Sequence, residues 1–173
     1  MSRPGIDRVF ERRLSALINS GQPEVLQGGR KGVEKESLRV TPEGSIAQTP
    51  HPRALGSALT NDAITTDYSE ALIELVTPPF TTTWELLAYL LDLHQFVYRH
   101  LGSELLWATS MPCPIAGDES IPIAQYGTSN IARMKTVYRA GLGLRYGRMM
   151  QAISGVHFNY SFPPAFWEAY ADL

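Results

Sequence analysis

In the segment GVEKESLRV, Gly32 to Val40, Glu34 and Glu36 stand two residues apart in a run that reads as a β-strand. Strand side chains alternate faces, so residues at i and i+2 point the same way. Two carboxylates therefore project side by side. Like charges that close repel unless something positive lies between them. A divalent cation answers that need, and oxygen ligands favour Mg²⁺ or Mn²⁺. The competing reading is a solvated strand face, with Lys35 and Arg39 turned to the other side.

Two further segments offer polar groups of the same kind. AITTDYSEALIELVTPPF is rich in β-branched residues and ends at Thr77-Pro78-Pro79, so it reads as a strand rather than a helix. In that reading Glu70, Leu72 and Glu74 share one face, and Ala71, Ile73 and Leu75 pack into the core. Asp67 lies just ahead of them, and the spacing leaves open whether Glu70 or Glu74 reaches a metal. Ile153–Phe162 alternates cleanly. Val156, Phe158, Tyr160 and Phe162 form its apolar face, and Gly155, His157, Asn159 and Ser161 its polar face. A sheet with helices behind it would present all these groups in front. His51, His94 and His100 lack acidic partners at ligand spacing and read as surface or helix-packing residues. Cys113, between two prolines, reads as a small buried hydrophobe.

The chain contains no GxxxxGK[ST], GxGxxG, HExxH or GxSxG motif. A strand-borne carboxylate array binding Mg²⁺ still suits phosphoryl transfer, where the ion offsets phosphate charge.

The elements that must hold these residues follow from periodicity. Ile6–Asn19 reads as an amphipathic helix with Ile6, Val9, Phe10, Leu14, Leu17 and Ile18 as its stripe. Pro42-Glu43-Gly44 predicts a turn joining Val33–Val40 to Ser45–Thr49 as a hairpin. Thr82 and Glu85 form a capping box for a helix running to about Leu101, with Leu86, Leu87, Leu90, Leu93, Phe96 and Val97 on one buried face. A loop rich in Pro and Gly runs from Trp107 to Gly127. Ser129 or Asn130 caps a helix over Ile131–Met150, weakened by Gly141, Gly143 and Gly147.

With 173 residues, 44% of them hydrophobic and 18% charged, the chain is globular in composition and long enough for one substantial core. A net charge of -2 gives no basic footprint for nucleic acid. The single cysteine excludes an intrachain disulfide and fits a reducing compartment. The N-terminus carries no apolar core of a secretory signal, and the longest apolar run is too short for a bilayer. A cytoplasmic protein without membrane or nucleic-acid partners is the expectation.

Taken together, GVEKESLRV, HPRALGSALTNDAITTDYSEALIELVTPPF, SMPCPI, AQYGTSN, RYGRMMQAISGVHFNYSFP and AFWEAY resemble the glutamate–cysteine ligases of the proteobacterial class. The resemblance runs from about Leu26 to the last residue. It implies an α+β fold, a glutamine-synthetase-like antiparallel sheet forming a metal-lined funnel with flanking helices. It implies ATP-dependent ligation of the γ-carboxylate of L-glutamate to L-cysteine through an acyl phosphate, the first step of glutathione synthesis. Mg²⁺, or Mn²⁺ in its place, and ATP are the implied cofactor and co-substrate. By motif, Glu34, Glu36, Asp67, Glu74 and His157 correspond to metal ligands. Tyr138 resembles a residue lining the cysteine pocket, and Met111, Cys113 and Tyr126 fall in segments that hold the amino-acid substrates. Residues 1–173 are read as a single domain, the N-terminal part of such a catalytic domain, with the metal funnel incomplete. The alternative is an inactive fragment that acts at most as a metal or amino-acid binding module.

Overall fold

Strand β1 (Arg30–Val40) is the axis of the fold. On one edge it pairs antiparallel with β3 (Leu72–Val76), which carries the two-residue strand β2 (Ile64–Thr65) beyond it. On the other edge the first half of β1 pairs with β5 (Val156–Ser161) and its last two residues with β4 (Leu105–Leu106). The helices are α1 (Pro4–Asn19), α2 (Thr83–Tyr98), α3 (Asn130–Tyr146), the short α4 (Arg148–Gln151) and α5 (Pro164–Ala171). This computed structural model describes residues 4–171, without the side chains of 4–7 and 23. The first three and last two residues of the expected 1–173 domain lie outside the described residues, as does the side chain of Ile6 in the expected stripe.

The sheet is buried on both faces over its second half, which the alternation of β1 and β3 requires. Leu38 and Leu72, directly paired, pack on one face with Tyr68, Cys113, Ile121 and Ala152. Ile73 and Leu75 pack on the other face with Val97, Leu101, Leu90 and Leu93. Thr82 caps α2, its hydroxyl oxygen accepting the Glu85 N–H at 3.2 Å. Leu86 and Val97 of α2 are buried, whereas Leu87 and Phe96 are exposed. The apolar face of that helix is therefore narrower than its sequence predicts.

Four other expectations change. The predicted strand from Ala63 is two strands divided by a turn. Thr66 donates to the Ser69 carbonyl at 2.6 Å, and the Ser69 hydroxyl accepts the Ala71 N–H at 3.2 Å. Such local side-chain bonds compete with a continuous ladder, so Glu70 does not share a strand face with Glu74. The 41–45 turn forms with Gly44 at φ +83°, but its second arm makes only the Val40–Ile46 bridge. The helix predicted to reach Met150 breaks at Gly147, at φ +81°, while Gly141 and Gly143 remain helical. His51 is half-buried rather than on the surface, and both its ring nitrogens lack hydrogen-bond partners.

The expected stripe of α1 is largely uncovered. Leu17 is buried, but Val9, Phe10 and Leu14 line an open groove of about 630 Å³ against Phe162, Phe166 and Trp167. The reverse face of β5 is likewise bare, with Val156 and Phe158 at 62% and 65% exposure. β5 pairs only with β1 among the described residues.

Candidate metal and substrate site

The register brings the acidic residues together. Glu36 on β1 is paired with Glu74 on β3, and Glu34 with His157 on β5. Paired residues share a face, as do residues two apart on one strand. Glu34, Glu36, Glu74, His157 and Asn159 therefore project from one side of the sheet, ahead of the Leu38–Leu72 core. Asp67, on the turn between β2 and β3, stands at the rim and is exposed. Its charge acts on both Glu36 and Glu74.

Each carboxylate has a distinct setting. Glu34 accepts from Asn159 at 2.9 Å and pairs with His157 Nδ1 at 3.0 Å. That contact, first of all, raises the His157 pKa above the ordinary imidazole value. Glu36 accepts the Gly155 N–H at 2.6 Å. Its pKa is nevertheless raised, by burial first and then by Asp67 and Glu34. Glu74 is pushed up to about 7, by burial first and then by Asp67, Glu36 and Glu34, with no hydrogen bond offsetting them. A site that raises the pKa of Glu36 and Glu74 by burial first, and then by repulsion between neighbouring carboxylates, is one that gains from a cation. The donor set, carboxylate oxygens with one imidazole, fits Mg²⁺ or Mn²⁺. Among the described residues no group of three or more His, Cys, Asp or Glu side chains stands close enough together to hold a metal ion. The lateral bonds to Asn159, His157 and Gly155 hold Glu34 and Glu36 along the sheet.

The expected substrate residues are not equivalent. Tyr138 on α3 and Met111 in the long loop are exposed. Tyr126 is buried, and its hydroxyl donates to the carbonyls of Thr66 and Asp67 at 2.8 and 2.9 Å. It supports the acidic rim from behind. Cys113, expected among the substrate contacts, is 2% exposed inside the Leu38–Leu72 cluster, so its thiol is a packing group. Burial also raises the thiol pKa.

One contributor escapes sequence reasoning, and Glu70, a candidate ligand by spacing, takes a different role. Arg139 on α3 donates to the Asp67 carbonyl and reaches its carboxylate at 3.4 Å, while its guanidinium lies 4.7 Å from the Tyr126 ring centroid. The four-residue spacing of Lys135 and Arg139, one face of a helix, is the signal that points to it. Glu70 faces away from the acidic group, and its carboxylate accepts the backbone N–H groups of His51 and Gln125 at 2.8 and 2.6 Å.

Comparisons with known proteins agree on what this arrangement is similar to. The family model described as glutamate–cysteine ligase matches residues 14–173. A glutamate–cysteine ligase from Alcanivorax borkumensis is 59% identical over 164 residues, which are 95% of this chain and 31% of that protein. One from Pseudomonas fluorescens is 52% identical, covering 96% of this chain and 31% of its own. The crystal structure of a Francisella tularensis glutamate–cysteine ligase in complex with AMP superposes with a TM-score of 0.81 at 42% identity, over 84% of this chain and 29% of that one. A bifunctional glutathione synthetase from Pasteurella multocida gives a TM-score of 0.80 at 33% identity, over 91% of this chain and 20% of its own. The chain thus spans about a third of the length of the curated relatives it matches, and it belongs to the glutamate–cysteine ligase family.

Proposed function

We propose that this chain provides the acidic wall of the active site of a glutamate–cysteine ligase. In that enzyme ATP phosphorylates the γ-carboxylate of L-glutamate, the L-cysteine amine displaces the phosphate, and ADP and phosphate leave. The observation that carries the reading is the convergence of Glu34, Glu36, Glu74 and His157 on one sheet face within the family match. Glu34, Glu36, Asp67, Glu74 and His157 would hold Mg²⁺ or Mn²⁺, which when bound offsets the charge of the ATP phosphates. The chain's own residues do the positioning. Asn159 and His157 fix both oxygens of Glu34, and the Gly155 amide fixes one oxygen of Glu36. Tyr138 and Met111, exposed, are available to amino-acid substrates. Among the described residues no helix is long and apolar enough to cross a membrane. Small-molecule partners and a cytoplasmic setting belong to the same proposal and rest on the family match.

The test is a chimera in which this chain replaces the matching part of the Alcanivorax relative. It should release ADP from Mg-ATP only when glutamate and cysteine are both present, and Glu34→Ala should lower turnover by orders of magnitude. Each lost ligand removes charge compensation that is worth about several kcal/mol in such sites. Parental turnover in Glu34→Ala and Glu74→Ala at saturating Mg²⁺ would overturn the assignment.

A further inference from the structure

We propose that Glu70 is a positioning residue that sets Asp67 through the Gln125–Tyr126 segment; this rests on the reading above that Asp67 belongs to the ion-binding set. Glu70 is 7% exposed and is tied through four groups. One carboxylate oxygen accepts the Gln125 N–H at 2.6 Å, and the other accepts the His51 N–H at 2.8 Å. Its own N–H donates to the Pro122 carbonyl at 2.9 Å, and its carbonyl accepts from Arg39 at 2.8 Å. The loop segment 122–126 is thereby laid along the turn that carries Asp67, with Ala124 N–H donating to the Tyr68 carbonyl at 3.0 Å. Tyr126, next to the anchored Gln125, then donates to the carbonyls of Thr66 and Asp67. Arg139 closes the arrangement by lying over the Tyr126 ring and donating to the same Asp67 carbonyl.

The chemistry calls for a carboxylate at position 70. Both partners of its side chain are N–H donors. A carboxylate offers two acceptors, whereas an amide turns one NH₂ donor toward an N–H. An aspartate is one methylene short of spanning both. Groups that orient ligands from behind commonly matter as much as the ligands themselves.

The experiment uses this chain, Mn²⁺ as probe, and two readouts. Free Mn²⁺ is followed by electron paramagnetic resonance, and amide hydrogen exchange by mass spectrometry. Glu70→Gln should weaken Mn²⁺ binding by about ten- to a hundredfold and speed exchange over residues 66–68 and 124–126, leaving α2 unchanged. Tyr126→Phe keeps the ring under Arg139 and should shift both readouts the same way by less. If Glu70→Gln does not fold, Tyr126→Phe carries the test. Folded variants with parental Mn²⁺ affinity overturn the proposal, including variants that are only less stable overall. A parent chain that binds no Mn²⁺ sinks the metal reading instead. The positioning claim then stands or falls on exchange at 66–68, and unchanged exchange there overturns it.

Discussion

Glu36 on β1 lies directly opposite Glu74 on β3 in the antiparallel register. Like charges so paired destabilise a sheet, and after burial and the Asp67 charge that repulsion helps push the Glu74 carboxyl up to about 7. A raised acid pKa means that the folded chain keeps a proton the unfolded chain releases. Stability is therefore lost as pH rises from the ordinary glutamate range through about 7. Glu74→Gln should match the parent at pH 5 and be the more stable protein at pH 8 in the absence of divalent ions. Millimolar Mg²⁺ should narrow the gap. Urea denaturation at the two pH values measures it, and an equal gap at both would refute the account.

Arg39 is fully buried, with its guanidinium donating to Glu104 and Thr49 and to the Glu70 carbonyl. Removing one partner of a buried ion pair leaves the other uncompensated, at about 3–5 kcal/mol. Arg39→Ala should lose that much in urea denaturation. A loss below about 1 kcal/mol, the ordinary worth of an exposed pair, would show that the network contributes little.

Two glycines of α3 should respond in opposite directions. A Cβ at Gly141 meets nothing within 4 Å, whereas one at Gly143 would come within 2.4 Å of the Tyr68 hydroxyl. Gly141→Ala should raise stability by about 0.5–1 kcal/mol through helix propensity. Gly143→Ala should lower it by about 1–3 kcal/mol, because Tyr68 is buried and must shift. Melting temperatures of the pair decide the matter, and a stabilising Gly143→Ala would show that Tyr68 moves freely.

The bare face of β5 should govern the behaviour of the purified chain. Exposed strand edges with apolar side chains promote self-association. The chain at tens of micromolar should elute as oligomers, and Phe158→Lys should shift it toward monomer with an unchanged circular dichroism spectrum. A monomeric parent would refute the edge argument.

The alternation in β1 and β5 made the acidic face legible, because a period of two fixes which side chains share a side. What stayed hidden depended on contacts distant in sequence. Glu70 could not be separated from Glu74 by spacing, since the turn at Thr66–Ser69 resets the phase of the strand. The buried ion pair of Arg39 was not legible, because its partner, Glu104, lies 65 residues away. Cys113 gave two readings, and only its neighbours Leu38 and Leu72 decide between them. The stripe of α1 was visible as a pattern, but periodicity does not say what covers it.

β1 serves the packed half of the sheet and the acidic half with the same phase of side chains: Glu34 and Glu36, then Leu38. A slip of one residue against β3 would turn Lys35 and Ser37 forward and send the carboxylates back toward α2. The same slip would pull Leu38 out of its cluster. Error in this strand is thus all-or-none. A chain that has completed its core has by that act aimed its acids, and a misaligned chain fails as a fold before it can persist with its acids turned away.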